Sequence, residues 1–253
     1  MSKRNSQEAK RAARERLRIE REKQAKKERT RRQLLVALSV VAVLGVVAGI
    51  GIFVAKLNSQ DSSGDDMAVT TAGAKAEKTI DVYEDLRCPA CASFEQAVGE
   101  QLQKGADDGK YKLRIHLGAI IDGNMGGSGS QNAARALGAA KAVSTKAFVD
   151  YKEKLYSAKW HPDEREDKFA DNNYLLKVSD TVPELKDNKA FEKAVKGKKY
   201  TKWAKDMIAS FNGAEVQSTP TIKIDGEQVQ PQDVPAKLKE MGVDLKSGKD
   251  EKK

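Results

Sequence analysis

The chain has 253 residues, 33% charged and 39% hydrophobic, with a net charge of +9 and only two cysteines. That length accommodates one sizeable domain with extensions, and the cysteine count excludes a disulfide-rich scaffold. All the excess charge lies in residues 1–32, with 14 Lys/Arg against 5 Glu, while the remainder balances 32 basic with 32 acidic residues. Net charge is therefore no argument for a nucleic-acid partner of the folded part.

Residues 1–33 form a basic tail rich in Ala, Arg, Lys and Glu, a helix-prone composition. Without aromatic interleaving it does not read as a nucleic-acid arm, so no nucleic acid is expected as a partner. It reads as a topology signal lying against anionic lipid. The next 22 residues, Leu34 to Ala55, carry no charged side chain. As a helix they would extend roughly 33 Å, enough to cross a hydrocarbon core of about 30 Å. The run exceeds the apolar region of a cleaved signal peptide and has no A-x-A pattern at its exit. An uncleaved transmembrane helix over 34–55 is expected. The basic flank places the N-terminus in the cytoplasm and the rest outside it.

Residues 56–76 are small and polar and read as a flexible linker. A folded domain is expected over 77–245, followed by a disordered tail at 246–253. Within the domain, "KTIDVYED" (78–85) alternates as a strand does. "ASFEQAVGEQLQKG" predicts a helix ending near Gly105, and "KYKLRIHLGAII" (110–121) a second strand with Leu113, Ile115 and Leu117 at period two. A helical block follows over about 128–205, opening with Ser130 as a cap and continuing through "DNKAFEKAVKGKKYTKWAKDMIASF" to Phe211. "TPTIKIDGEQVQ" predicts a hairpin turning at Asp225-Gly226, and "DVPAKLKEMG" a closing helix. The order is that of an α/β domain with a helical insertion.

Both cysteines lie in "LRCPACASFE" (86–95). A disulfide across two intervening residues closes a very short loop and so restricts the unfolded chain little. A zinc site would need four ligands, and Cys88, Cys91, His116 and His161 could supply the number. The two histidines, however, stand far apart without paired spacing and read as ordinary packing or surface residues. A redox pair suits the context better. Cys88 opens a helix, with Pro89 where a missing N–H costs nothing, and the unpaired N–H groups there favour a thiolate. Arg87, if turned inward, would act in the same sense. Cys88 is then expected to be the exposed nucleophile and Cys91, one turn later, the buried resolving thiol.

"DVYEDLRCPACASFE" together with "VQSTPTIKIDG" resembles the thioredoxin superfamily. More closely it is similar to the membrane-anchored, DsbA-like thiol–disulfide oxidoreductases of actinobacteria and other Gram-positive bacteria. The resemblance implies a thioredoxin-like α/β fold with a helical insertion, preceded here by the single transmembrane helix. It implies a Cys88-Pro89-Ala90-Cys91 redox centre. Thr219 and a cis Pro220 would lie beside the cysteines, exposing backbone to the client. The implied activity introduces disulfides into cysteine-containing secreted or envelope proteins, with a quinone-linked membrane partner of the DsbB or VKOR type restoring the disulfide. No cofactor or metal is called for. A reductase or isomerase of the same fold, or a client-binding chaperone module, are the competing readings. The sequence departs from the family at Ala90, where His is common, and at Ser218, where Gly often stands. Val82 occupies the position six before the first cysteine where some relatives carry an acid. Glu84 and Asp85 are the nearest acids and, with Arg87, the expected modulators of thiolate and proton.

Overall fold

The strand expected at residues 78–85 is β2, Thr79–Glu84, and it runs through the middle of a five-stranded sheet. The computed structural model describes residues 67–245; the basic tail, the apolar run at 34–55, the linker as far as residue 66 and the terminus from 246 lie outside the described residues. Among the described residues no helix is long and apolar enough to cross a membrane. The sheet comprises β1 (Val69–Ala72), β2, β3 (Lys112–Leu117), β4 (Thr221–Ile224) and β5 (Glu227–Val229), in the order β1-β3-β2-β4-β5. β2 and β3 are parallel, while β1, β4 and β5 each join antiparallel.

One strand falls where a spacer was expected. Val69–Ala72 lies inside the stretch read as linker, yet it pairs with β3 from Val69↔Ile115 onward. Its sequence, Val-Thr-Thr-Ala, has three β-branched residues in four. That local propensity was hidden in a small, polar neighbourhood.

β2 is buried along almost its whole length because the sheet is covered on both faces. Strand alternation sends Ile80, Val82 and Glu84 to one face and Asp81 and Tyr83 to the other. The first face packs under helix α1, Pro89–Asp107, where Val98 and Leu102 are buried. On the second face Tyr83 meets Phe211 edge-on at 5.8 Å. Asp81 is buried there as a charge because its parallel neighbour in register, Arg114, and His116 both bond to it. These partners hold the Asp81 carboxyl below its ordinary range, although burial pushes the other way.

The second strand is shorter than expected. The parallel ladder ends at Glu84↔Leu117, and past Gly118 the chain turns into a short helix, α2 (Ile120–Met125). The helical block consists of α3 (Gly129–Val143), α4 (Thr145–Tyr156), α5 (Asn172–Ser179), α6 (Lys189–Lys196) and α7 (Thr201–Gly213). α6 and α7 divide the stretch expected to run unbroken to Phe211. The break follows Gly197, with Lys198 in the left-handed region at φ 52°. The expected hairpin turns at Asp225 and Gly226, both at positive φ as a two-residue turn requires. The closing helix is α8, Val234–Glu240.

Candidate active site

The turn between β2 and α1 places Cys88 at the N-cap of α1 and Pro89 at its first position. Asp85 organises this turn: its Oδ1 accepts from the Arg87 N–H at 2.8 Å, and its carbonyl accepts from the Cys88 N–H at 3.0 Å. Both thiols are free. Cys88 retains 6% exposure and Cys91 none. The order of access is thus the expected one, but Cys88 is far less exposed than an open nucleophile; Pro89 and Ala90 are the exposed pair.

β4 brings the second half of the site. Its register, Tyr83↔Thr221, sets Thr219 and Pro220 against the β2–α1 turn. The Thr219–Pro220 peptide is cis. Cys88 Sγ lies 3.4 Å from the Thr219 carbonyl oxygen. Cys88, Cys91, Thr219 and Pro220 therefore meet, although 131 positions separate Cys88 from Thr219.

The two thiols differ sharply in acidity. Cys88 is pulled down to about 6, first by a hydrogen bond from the Cys91 thiol, then by the Thr219 side chain and the N–H groups of Cys91 and Ala90, against the effect of burial. Cys91 is pushed well above the ordinary thiol range by burial, by Cys88 and by the charge of Glu84. At neutral pH one sulfur is a thiolate beside a helix start and the other a thiol, an arrangement suited to attack through Cys88 and resolution through Cys91.

The three charged neighbours separate. Arg87 does turn inward, the condition on which it was to favour the thiolate, but its guanidinium does not go to the sulfur. It pairs with Asp122 at 2.8 Å and Asp167 at 3.2 Å and donates to the carbonyls of Gly126 and Glu164. The chain at Gly127, with φ 96°, passes so close to this cluster that a Cβ would strike the Asp167 carboxylate. Asp85 is consumed structurally, accepting also from Ser130 Oγ at 2.6 Å and the Ile121 N–H at 2.9 Å. Ser130 is therefore a buried brace and not the cap of α3; the first amides of that helix go to the carboxylates of Asp167 and Asp122.

Glu84 alone faces the interior beneath α1. Burial lifts its carboxyl to about 8, while Lys152 draws it down and Glu95 adds to the rise. Lys152 Nζ sits 2.7 Å from Glu95 and 3.4 Å from Glu84. With Glu84 protonated, the Lys152–Glu95 pair leaves the cluster neutral, the cheaper state in a dry interior. Sequence reasoning missed Lys152 and Glu95, though both carry a signal. Lys152 falls four residues after buried Phe148 on the apolar stripe of α4, and Glu95 falls one turn after Cys91 on α1. His161 was set aside as ordinary, yet its Nε2 lies 3.0 Å from the Leu86 carbonyl in this same turn.

A thioredoxin family model matches residues 66–241. Among solved structures, the reduced disulfide bond oxidoreductase DsbG of Mycobacterium tuberculosis is 25% identical. That match covers 75% of this chain and 94% of that one, with a TM-score of 0.59. DsbA of the same organism, in its oxidised form, is 26% identical over 70% of this chain and 94% of that one, with a TM-score of 0.58. MdbA, a thiol-disulfide oxidoreductase from Corynebacterium matruchotii, shares the fold at 20% identity, a TM-score of 0.54, and coverage of 68% and 88%. No curated protein matches the chain significantly by sequence. The family match spans most of the chain, and the two mycobacterial structures are covered almost end to end. The chain accordingly belongs to the thioredoxin family, among its DsbA-like protein-disulfide oxidoreductases.

Proposed function

We propose that this protein is a membrane-tethered, extracytoplasmic oxidase that introduces disulfides into cysteine-containing secreted or envelope proteins through Cys88 and Cys91. The observation that carries the reading is the divided acidity of the pair, Cys88 near 6 and Cys91 far above the ordinary range. A stabilised Cys88 thiolate stabilises the reduced form, and a pair whose reduced form is stabilised is an oxidant.

In the forward direction a client thiolate attacks Cys88 Sγ of the Cys88–Cys91 disulfide. The S–S bond breaks and Cys91 leaves with the electron pair. Its high basicity calls for a proton, which Glu84, protonated below about 8, supplies. A second client thiolate then attacks the client sulfur of the mixed disulfide and expels Cys88 as a stable thiolate. The client loses two electrons and gains a disulfide; the protein becomes the dithiol. The Thr219–Pro220 backbone, beside Cys88 Sγ, serves as the edge on which an extended client pairs. Return to the disulfide falls to a quinone-linked membrane partner. The tether rests on the uncharged run Leu34–Ala55 and the basic flank before it.

Equilibration with glutathione tests the direction. A potential clearly above the about −270 mV of thioredoxin is expected, and one at or below that value overturns the oxidase reading. The Cys91→Ala variant should accumulate clients as mixed disulfides on Cys88. A variant that collects none points instead to a chaperone-like module. After intact cells are treated with a membrane-impermeant reductant, a membrane-impermeant thiol reagent should reach Cys88; labelling only after lysis removes the extracytoplasmic placement.

A further inference from the structure

The connection from α4 to α5 is remote from Cys88 in sequence, yet it is tied repeatedly to the elements that carry the thiols. Gln96 Nε2 on α1 donates to the Tyr156 carbonyl at 2.7 Å. His161 Nε2 lies 3.0 Å from the Leu86 carbonyl. Arg87 Nη2 donates to the Glu164 carbonyl at 2.6 Å, and Nη1 lies 3.2 Å from Asp167. Two consecutive residues of the turn, Leu86 and Arg87, are thus held by one segment of the helical block.

The Leu86 carbonyl accepts, so His161 Nε2 carries the proton. Burial pushes the imidazole toward its neutral form, which makes this the Nε2–H tautomer. The ring is stacked at 15° on Tyr156, 5.9 Å between centroids, and meets Phe169 edge-on at 6.0 Å. Packing therefore fixes the ring plane, and the hydrogen bond transmits that plane to the Leu86–Arg87 peptide. This peptide lies one residue before the Arg87–Cys88 peptide, in the turn that delivers Cys88 to the start of α1 beside the N–H groups of Ala90 and Cys91.

We propose that His161 is a positioning residue for the redox centre, locking the Leu86 carbonyl so that the helical block aims Cys88 Sγ at the start of α1. The inference rests on the reading of Cys88 and Cys91 as an exchange pair. It gives the insertion a chemical duty: the connection from α4 to α5 holds the reactive sulfur in register with its stabilising donors.

The test compares His161→Phe, which keeps an aromatic ring between Tyr156 and Phe169 but has no donor, with His161→Gln, which keeps a side-chain N–H. Both are measured by thiolate absorbance against pH and by equilibration with glutathione, with unfolding midpoints recorded alongside. Loss of one such bond should shift the His161→Phe equilibrium about fivefold toward the disulfide, with Cys88 titrating higher, while His161→Gln stays within about twofold of wild type. If His161→Phe does not fold, His161→Leu supplies the same contrast. A folded donorless variant with the wild-type equilibrium overturns the inference, as does a Gln variant shifted as far as the Phe one. Wild-type protein that exchanges normally while all variants match it sinks the positioning role alone. Wild-type protein with no exchange at all sinks the exchange reading as well.

Discussion

Glu84 and Asp85 are consecutive acids at the end of one strand, both fully buried and both pushed upward by burial, and they do opposite work. Asp85 accepts from the Arg87 N–H, the Ser130 hydroxyl and the Ile121 N–H, joining the turn before Cys88 to α2 and α3. Neither oxygen of Glu84 has a hydrogen bond of good geometry among the described residues; the Lys152 ammonium stands 3.4 Å away, itself paired with Glu95, which also acts on Glu84. Alternation at the strand end sends one side chain under α1 and the other into the loops. A buried carboxylate whose acceptors are filled is fixed in one protonation state and holds structure. One whose acceptors stand empty beside a cation already paired with another carboxylate is free to exchange a proton.

The largest effect separating them should be on stability. Asp85→Ala strands three buried donors at once, and the unfolding free energy in urea should fall by about 3 kcal/mol or more. Glu84→Gln replaces a carboxyl already neutral at pH 7 with a neutral amide while Glu95 keeps Lys152 paired, so its stability at pH 7 should stay close to that of wild type. If Asp85→Ala costs less than Glu84→Gln, the contrast between brace and proton site is broken.

Next in size is a kinetic effect with the opposite assignment. Glu84→Gln should slow the step in which Cys91 leaves or attacks by on the order of tenfold to a hundredfold, as loss of a positioned proton donor does. Stopped-flow reaction with a model dithiol would read it. Asp85→Asn, if folded, should change this step far less, and equal slowing in both would remove the special role of Glu84.

A third difference concerns stability against pH. Glu84 has a folded pKa raised from 4.5 to about 8. Between those values the unfolded chain loses its proton while the folded protein keeps it. Its contribution is therefore complete below about 4.5 and is lost as pH rises through about 8. Unfolding free energies of the disulfide form, measured across that window, should fall with pH, and Glu84→Gln should flatten the decline. A slope that survives the substitution would assign it to another group.

How much of this was legible beforehand follows the range of the interactions involved. The two thiols, the helix start at Pro89 and the hairpin at Asp225-Gly226 rest on local chemistry, so the residues alone placed them. Whether Arg87 turns inward, and where it goes, was not legible, because Asp122, Asp167 and the Glu164 carbonyl reach it only after the helical block folds over the turn. Ser130 looked like a cap because its local setting is that of a cap; a carboxylate 45 residues earlier claims its hydroxyl. β1 was lost to composition, since four residues of strand in a small, polar stretch are visible only through their partner β3.

The smallest effect sharpens the comparison most, because it asks how far the charge of Glu84 reaches. Glu84 raises Cys91, whereas the groups acting most strongly on Cys88 are Cys91 itself, Thr219 and the helix-start amides. Reducing the disulfide takes up two electrons, with two protons below about pH 6, where Cys88 is a thiol. Above that value only Cys91 takes one, so the slope of the reduction potential against pH should halve near pH 6. Glu84→Gln should leave that break within about half a unit of its wild-type place, since the substitution touches neither the donors to Cys88 Sγ nor the helix start. A break displaced by a full unit or more would mean that Glu84 acts on both sulfurs, and that the proton site and the nucleophile form one titrating unit.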